Sequence, residues 1–245
     1  MNNNQTIEKL KQMRLTAMAE LHTEQLKNHQ HTKCTPDEYL ALMTDYEWEH
    51  RYNRKIQRLI KQAGFRQKAS LAQVDYNEPR NLEKNMFARL GTLDFIVKSE
   101  NLIITGPSGV GKSYLAQALG HQACFNHHKV SYTITSRLLN QLKLSKVDGT
   151  YLKEIKKLNR TKLLILDDFG LQAFDNFARE ALLDIIDDRF KKASTIISSQ
   201  LPVSTWYDII GENTIADAIL DRIVNSSHRI NLNGESLRKG MLKND

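Results

Sequence analysis

The residues best suited to chemistry form the glycine-rich stretch GPSGVGKS, from Gly106 to Ser113. It follows the apolar run NLIIT and precedes YLAQALGHQACF, which has helical character. The spacing matches G-x-x-x-x-G-K-[ST], in which glycines let backbone N–H groups turn toward a bound phosphate chain. A helix that begins there adds partial positive charge at its first turn. The stretch therefore predicts a site for a nucleoside triphosphate.

Individual side chains of this loop have expected roles. Lys112 can reach the β- and γ-phosphates, and the hydroxyl of Ser113 can bind Mg²⁺. The expected ATP-binding residues are Gly106, Pro107, Ser108, Gly109, Val110, Gly111, Lys112, Ser113 and Tyr114. A chance glycine-rich turn is the alternative, and the flanking strand and helix disfavour it. ATP and Mg²⁺ are the expected cofactors.

Two adjacent carboxylates are the second chemical feature. The aliphatic run LLIL ends at Asp167 and Asp168, in LLILDDFG. In phosphate-loop proteins a second buried strand carries a metal-binding aspartate at its carboxyl end, which predicts that Asp167 binds Mg²⁺. Asp168 is then expected to orient or deprotonate the attacking water, although it is one methylene shorter than glutamate. A cap of the following turn is the alternative for Asp168.

Short apolar runs alternate with helical patterns from about residue 80 onward. The expected strands are NLIIT (101–105), VSYTI (130–134), LLILD (163–167), STIISS (194–199) and HRINL (228–232). Strands separated by helices predict a parallel sheet covered on both sides. Several runs are apolar without alternation, as in strands buried on both faces. The fold class is therefore α/β, with a parallel five-stranded sheet flanked by helices.

The N-terminal region has the three- and four-residue periodicity of helices. Apolar positions consistent with one helix face are Ile7, Leu10, Met13, Ala17 and Leu21. Thr35 and Glu38 have the spacing of a capping box, which predicts a helix that runs to Ala63. We expect a small all-α N-terminal domain over residues 1–69, which binds DNA or a partner, and a nucleotide-binding domain over residues 70–245.

Composition and net charge indicate the kind of partner and the cellular compartment to expect. The net charge of +7 over 245 residues makes a polyanionic partner plausible. No stretch approaches the roughly 18 consecutive apolar residues of a membrane helix, and the polar N-terminus lacks a signal-peptide core. Cys34 and Cys124 are far apart, as expected of reduced thiols. We therefore expect a cytoplasmic protein with no membrane partner.

Four segments together closely resemble the IstB-like ATP-binding proteins. They are GPSGVGKS, LLILDDFG, LLDIIDDRFKKASTIISSQLPVSTWYDIIG and ADAILDRIVNSSHRINLNGESLRK, and the resemblance spans roughly residues 35–241. Members of this family are helper ATPases of insertion-sequence transposases, related to DnaC-type helicase loaders within the AAA+ class. The resemblance implies an AAA+ phosphate-loop fold after the helical domain. It also implies an ATPase that oligomerises on target duplex DNA and engages a transposase.

The resemblance further implies site residues outside the two motifs. Ser199 resembles the sensor 1 position near the γ-phosphate, with Gln200 as the alternative. Arg222 resembles an arginine finger that reaches the ATP of a neighbouring subunit, and Arg238 resembles the sensor 2 arginine of the same subunit. These roles imply a homo-oligomer with composite ATP sites. A surface salt bridge is the alternative for each arginine.

A basic segment lies between the second and third expected strands. SRLLNQLKLSKVDGTYLKEIKKLNR is longer than one crossover helix requires, and a break is expected near Asp148 and Gly149. In initiator and helicase-loader relatives an extra helical element near this place touches DNA. The expected contacts with duplex phosphates are Lys143 and Lys146, with Arg54, Arg58 and Lys61 of the basic helix. Such contacts give affinity without sequence choice.

Two rival functions share the same motifs. A replicative helicase loader would use the same ATPase core on single-stranded DNA. A non-hydrolysing module would use ATP only to lock an oligomer. A preference for duplex DNA favours transposition, and an inactive wild-type protein in the presence of DNA favours the module.

Overall fold

The structure is a computed structural model, which describes residues 3–29 and 34–237. The chain forms two compact units that join between Arg58 and Leu59. This division falls inside a long helix, α3 (Pro36–Ala63). The boundary near residue 69 that the sequence predicts stays a prediction.

Helices make up the described part of the first unit. They are α1 (Asn3–Gln12), α2 (Thr16–Lys27) and the first part of α3. Of the apolar positions expected on one helix face, Ile7 and Leu10 lie on α1, Ala17 and Leu21 lie on α2, and Met13 lies between the helices, where the chain turns at Arg14, whose φ is 60°. None of the helices in the two described ranges, including the 28-residue α3, is apolar enough to cross a membrane.

The predicted capping box at the start of α3 is confirmed. The backbone N–H of Glu38 donates to Oγ1 of Thr35 over 3.3 Å, and the N–H of Thr35 donates to Oε2 of Glu38 over 2.7 Å. Two N–H groups at the start of the helix region thus have acceptors before the first turn closes. α3 ends at Ala63 as expected, directly before Gly64, whose φ is 77°.

A buried carboxylate holds the beginning of α2. Glu47 of α3 accepts hydrogen bonds from the backbone N–H groups of Ala17 (2.9 Å) and Met18 (3.1 Å). Its other oxygen pairs with Nε of Arg51 at 2.6 Å. Burial raises the pKa of Glu47, but these hydrogen bonds and the charge of Arg51 outweigh burial and lower it overall. Glu47 therefore serves as a tertiary N-cap of α2.

The second unit contains a parallel sheet between helices. Its elements after α3 are α4 (Lys84–Gly91), α5 (Asp94–Val97), β1 (Asn101–Thr105), α6 (Lys112–Phe125), β2 (Val130–Ile134), α7 (Thr135–Val147), α8 (Tyr151–Asn159), β3 (Leu163–Asp167), α9 (Asn176–Arg189), β4 (Ser194–Ser199), α10 (Trp206–Ile210), α11 (Asn213–Val224) and β5 (Ser227–Asn231). The strand order is β2-β3-β4-β1-β5. All neighbouring strands pair in parallel. The predicted fold class is confirmed, and only β5 is displaced, by one residue.

Two apolar cores cover the two faces of this sheet. Leu102 and Ile104 of β1 pack on one side with Leu115 of α6, whereas Ile103 packs on the other side with Trp206. Every residue of β1, β3 and β4 is buried. The absence of hydrophobic alternation in these strands follows from this double burial.

A buried arginine binds backbone carbonyls at the amino-terminal edge of the sheet. Arg189, at the end of α9, has 2% exposure. Its guanidinium donates to the carbonyls of Leu158, Thr161 and Ser194 and to the hydroxyls of Thr161 and Thr195. Burial lowers the pKa of Arg189 to about 10. The side chain thus satisfies carbonyls near the end of α8 and the beginning of β4.

Candidate nucleotide-binding site

The glycine-rich loop lies between β1 and α6, at the carboxyl edge of the sheet. Gly111 caps α6 with a φ of 95°, a conformation that favours glycine. A Cβ at Gly111 would also lie 2.6 Å from the guanidinium of Arg80. The loop folds back on itself, since Nζ of Lys112 donates to the carbonyl of Pro107 over 2.8 Å. A glycine-rich loop that leads into the first turn of a helix is an arrangement that binds phosphate groups.

Arg80 supports this loop from the segment before α4. It is buried, and its guanidinium donates to the carbonyls of Val110 (3.2 Å) and Asp75 (2.6 Å). Burial lowers the pKa of Arg80, and the nearby carboxylate of Asp75 opposes that effect. Residues 70–79 are mainly irregular, apart from a short 3₁₀ turn at Leu71–Gln73.

The two residues expected to bind metal lie in contact. Oγ of Ser113 donates to Oδ1 of Asp167 over 2.9 Å, and the hydroxyl of Ser198 donates to the same oxygen. The hydroxyl of Tyr132 donates to Oδ2 over 2.6 Å, and Asp167 has 1% exposure. A hydroxyl beside a carboxylate at the first turn of α6 is an oxygen donor set that suits Mg²⁺. The residues present therefore fit that ion.

Asp168 lies at the end of β3 in a left-handed backbone conformation, with a φ of 54°. Burial raises the pKa of its carboxyl, and the neighbouring charge of Asp167 raises it further. Lys112, Arg66 and a hydrogen bond with the side chain of Gln200 act in the opposite direction without cancelling the rise. The following helix, α9, has another residue as its N-cap. A perturbed carboxylate beside the phosphate loop suits a catalytic role.

The two alternatives for sensor 1 have different surroundings. Ser199 has 0% exposure, its hydroxyl donates to the carbonyl of Phe169 over 2.7 Å, and it accepts from the N–H of Leu201. These bonds engage the Ser199 hydroxyl with the local backbone. Gln200 is partly exposed and interacts with Asp168. The assignment of Ser199 to sensor 1, with Gln200 as the alternative, stays a prediction.

Arg222 lies far from the phosphate loop of its own chain. Its carbonyl accepts from the side chain of Asn101, the first residue of β1, whereas the loop follows the last residue of that strand. Five residues of strand span roughly 16 Å. The side chain of Arg222 is 29% exposed and pairs with Asp187 at 2.7 Å. The backbone of Arg222 therefore lies at the amino-terminal edge of the sheet, opposite its own loop, and the arginine-finger role stays a prediction.

Arg238 lies outside the described residues. The residue before it, Leu237, donates its backbone N–H to the carbonyl of Gly109 over 3.0 Å. A Cβ at Gly109 would overlap Ser236. The chain after β5 is therefore bound to the phosphate loop up to the position that precedes Arg238.

The basic segment forms two helices, α7 and α8, with the predicted break at Asp148–Gly149. Lys143 pairs with Asp175 at 2.7 Å, and both side chains are more than half exposed. Nζ of Lys146 lies 5.2 Å from the centre of the Phe177 ring. Both lysines thus have intramolecular contacts, each with a polar or aromatic group at the surface.

The three basic residues expected to bind DNA along α3 are exposed. They are Arg54, Arg58 and Lys61. Arg54 lies 3.9 Å from the buried carboxylate of Glu47, which already has Arg51 as its closer partner. An exposed row of cations on one helix is compatible with phosphate contacts, and equally with a solvated surface.

A family model described as "IstB-like ATP binding protein" matches residues 8–244. The chain belongs to this family. It is 46% identical over 234 residues to the insertion sequence ATP-binding protein y4pL of Sinorhizobium fredii, with 96% of each chain covered. It is 41% identical to the IS1162 ATP-binding protein of Pseudomonas fluorescens, over 82% of this chain and 87% of that protein.

The fold of the chain is similar to that of two solved structures. The DnaC helicase loader has a TM-score of 0.54 at 23% identity, over 67% of this chain and 96% of that chain. DnaA of Aquifex aeolicus, bound to AMPPCP, has a TM-score of 0.56 at 18% identity, over 74% of this chain and 55% of that chain. At these identities the likeness concerns the fold.

Sequence reasoning missed several residues of the site, among them Tyr132, Ser198 and Arg66. Ser198 lies beside Asp167 because the register of parallel β3 and β4 pairs Leu166 with Ile197, and this register is visible only in the structure. Tyr132 lies in the middle of an apolar strand, where an aromatic residue is typical of the core. Arg66 belongs to an exposed basic run, and no spacing rule distinguishes it from its neighbours.

Proposed function

We propose that this IstB-like protein is an ATPase that binds duplex DNA and assists transposition, with hydrolysis controlling its assembly. The contact between Ser113 and Asp167, next to the perturbed carboxyl of Asp168, is the observation that carries the ATPase role. The relatives named as insertion-sequence ATP-binding proteins support the role in transposition.

The glycine-rich loop and the start of α6 would bind the phosphates. The loop N–H groups and Lys112 would hold the phosphate chain, with Lys112 exchanging the carbonyl of Pro107 for phosphate oxygens. Ser113 and Asp167 would hold Mg²⁺, which offsets the negative charge on the β- and γ-phosphates. The buried partners of Asp167 keep its carboxylate in one orientation before ATP arrives.

Asp168 is the proposed water-positioning residue. In its ionised form the carboxylate accepts a hydrogen bond from the attacking water, and Gln200 orients the carboxylate. Ser199, the other sensor 1 candidate, would act indirectly, because its hydroxyl holds the backbone carbonyl of Phe169. The balanced reaction is MgATP plus water giving ADP and phosphate.

The position of Arg222 supports our proposal of composite sites. Because this arginine lies at the opposite edge of the sheet from its own loop, we assign it to the ATP of an adjacent subunit. It must leave Asp187 to do so. Arg238 would contact the nucleotide of its own subunit, next to the Leu237 contact with the loop. ATP would thus stabilise a homo-oligomer, and hydrolysis would release it.

DNA contacts are assigned to the exposed cations of α7 and α3. Replacement of both Lys143 and Lys146 by alanine should weaken duplex binding and reduce its salt dependence by about two phosphate contacts. A matched control replaces Lys98 and Lys192, two exposed lysines elsewhere on the same unit. Equal losses for both pairs would contradict a specific α7 surface. A triple variant of Arg54, Arg58 and Lys61 tests α3 in the same assay.

One experiment tests the proposed partner. Binding to duplex and single-stranded DNA of equal length is measured with ATP, ADP and a non-hydrolysable analogue, and the assemblies are imaged. Our proposal predicts oligomers on duplex DNA that form with ATP or the analogue and dissociate with ADP. Preference for single strands would instead support a helicase loader, and nucleotide-independent binding would contradict ATP control.

A further inference from the structure

The carboxylate of Asp167 has a hydrogen-bond donor on each of its oxygens. Oδ1 accepts from the hydroxyl of Ser113 over 2.9 Å and from that of Ser198. Oδ2 accepts from the hydroxyl of Tyr132 over 2.6 Å. The two oxygens therefore have different surroundings, because Oδ1 faces the serine of the phosphate loop and Oδ2 faces a tyrosine.

Strand register places Tyr132 beside this carboxylate. Tyr132 is the middle residue of β2, the edge strand next to β3. The register pairs Ile134 with Asp167 and Tyr132 with Ile165. Because side chains alternate between the faces of a sheet, Tyr132 projects from the same face as Asp167, two positions earlier along the strand. The length of the tyrosine side chain brings its hydroxyl to Oδ2.

Core packing confines the tyrosine ring. Tyr132 has 6% exposure and belongs to the same apolar cluster as Leu119 and Ile165. The ring of Phe65 lies next to it, with centroids 6.3 Å apart. Burial and the contact with Asp167 raise the pKa of Tyr132, so its hydroxyl keeps its proton at neutral pH. Tyr132 is thus a donor held in one place by close packing.

A carboxylate held in this way suits one kind of metal ion. Mg²⁺ requires near-ideal octahedral geometry, whereas Ca²⁺ accepts variable geometry and can take both oxygens of one carboxylate. Ligand number and flexibility therefore decide between the two ions. Because a buried donor engages Oδ2, Asp167 offers an ion only Oδ1, on the side of Ser113. A fixed, single oxygen favours the ion with the stricter geometry.

We propose that Tyr132 is a positioning residue that gives the nucleotide site a preference for Mg²⁺ over Ca²⁺. Its hydroxyl occupies Oδ2 of Asp167 and touches no reacting atom. Ser198 supports the same orientation of the carboxylate from β4. This inference rests on the binding of MgATP in the proposed function, and it does not require hydrolysis.

The test compares the wild-type protein with Tyr132→Phe, which removes the hydroxyl and retains the ring. The concentration of Mg²⁺, and separately of Ca²⁺, that half-saturates binding of a fluorescent, non-hydrolysable ATP analogue is measured for each protein. Loss of an outer partner of a metal ligand typically reduces metal affinity by about 10- to 100-fold. We expect the Mg²⁺ concentration to rise about tenfold in Tyr132→Phe. The Ca²⁺ concentration should change less, because Ca²⁺ can use the freed Oδ2.

Tyr151→Phe is the matched control. The hydroxyl of Tyr151 donates to Oδ2 of Asp184 over 2.7 Å, and Tyr151 packs against the core on the other face of the sheet. This substitution therefore removes the same atom and the same kind of hydrogen bond at a distance from the nucleotide site. Both half-saturating concentrations should stay at their wild-type values. A shift as large as that of Tyr132→Phe would contradict a role specific to Tyr132.

A second variant guards against a change in folding. Thermal unfolding without nucleotide identifies a variant that is misfolded. If Tyr132→Phe does not fold, Tyr132→Met carries the same comparison, because methionine is flexible enough to fill irregular core space and also lacks the hydroxyl.

The outcomes separate this inference from the ATPase proposal. If the wild-type protein hydrolyses no ATP but the Mg²⁺ requirement shifts as expected, the ATPase proposal fails and the role of Tyr132 stands. An unchanged Mg²⁺ requirement in Tyr132→Phe would overturn the positioning role. An equal rise for Mg²⁺ and Ca²⁺, or a wild-type protein that does not distinguish the two ions, would overturn the role in ion preference.

Discussion

The hydroxyl of Ser113 donates to Oδ1 of Asp167 over 2.9 Å, although the two residues are 54 positions apart in sequence. The parallel sheet produces this contact, because β1 and β3 both end at the carboxyl edge and β4 lies between them. Ser198 at the end of β4 also donates to Asp167 and thereby fills the gap between the two strands. The oxygen donors expected to hold Mg²⁺ are thus in place before nucleotide binds.

The pH dependence of hydrolysis tests the role of Asp168. Burial and the charge of Asp167 raise the pKa of Asp168, and the proposed role requires the ionised form. As pH falls through that raised pKa, kcat should fall, at a pH above the value of about 4 that is usual for aspartate. A kcat profile at saturating MgATP, with circular dichroism to verify folding, provides the measurement. A flat profile down to the usual aspartate range would argue against this carboxylate.

Glu47 should stabilise the first unit in a pH-dependent manner. Glu47→Ala removes the acceptor of two N–H groups and should lower the free energy of unfolding by about 1–3 kcal/mol at neutral pH. Because the folded-state pKa is lowered, this stabilisation is present above the unfolded-state pKa and disappears as pH falls through the folded-state value. Urea denaturation at several pH values measures it. Glu49→Ala, an exposed change on the same helix, should have little effect; a similar loss there would contradict the cap.

Arg189 should be a large contributor to the stability of the second unit. Arg189→Lys leaves fewer donors for the carbonyls of Leu158, Thr161 and Ser194 in a buried place. Each buried carbonyl that loses its donor costs about 1–3 kcal/mol, so we expect a loss of at least about 2 kcal/mol. Chemical denaturation measures the change, with Arg160→Lys at an exposed position as control. Equal stabilities of the two variants would refute this role.

Mixed oligomers test whether Arg222 acts on a neighbouring subunit. Arg222→Ala and Asp168→Asn should each be nearly inactive alone. In an equal mixture, about a quarter of the interfaces join an Arg222→Ala subunit, which has Asp168, to an Asp168→Asn subunit that supplies Arg222. Activity should recover toward that fraction of the wild-type value. Phosphate release from the mixture is the measurement. No recovery, with oligomers of normal size, would mean that Arg222 does not complete a site across an interface.

Local chemistry made much of the fold predictable. The runs ending at Thr105, Asp167 and Ser199 are apolar without alternation, and the glycines of the loop lie at fixed spacings, so strands and phosphate site follow from the sequence. Side-chain partners across the sheet depend on strand register, which the sequence does not show. The consecutive residues Ser198, Ser199 and Gln200 therefore have different partners that could not be predicted. The turn at Arg14 was missed because helical periodicity continues across it.

The contacts of Arg66 were out of reach of sequence reasoning for a related reason. Its backbone N–H donates to Gln117 of α6, and this hydrogen bond joins residues 51 positions apart. Composition assigns Arg66 to a basic surface run, whereas tertiary structure brings it to the nucleotide site. Long-range polar contacts of this kind leave no periodic pattern in the sequence.

The central claim, hydrolysis of ATP with Asp168 positioning the water, is tested most directly by phosphate release. Wild type and Asp168→Asn are compared with saturating MgATP and duplex DNA, and analogue affinity is measured in parallel. We predict Mg²⁺-dependent release by the wild type and a loss of at least about 100-fold in Asp168→Asn, with analogue affinity unchanged. Equal rates for the two proteins, or no release by the wild type, would contradict the account.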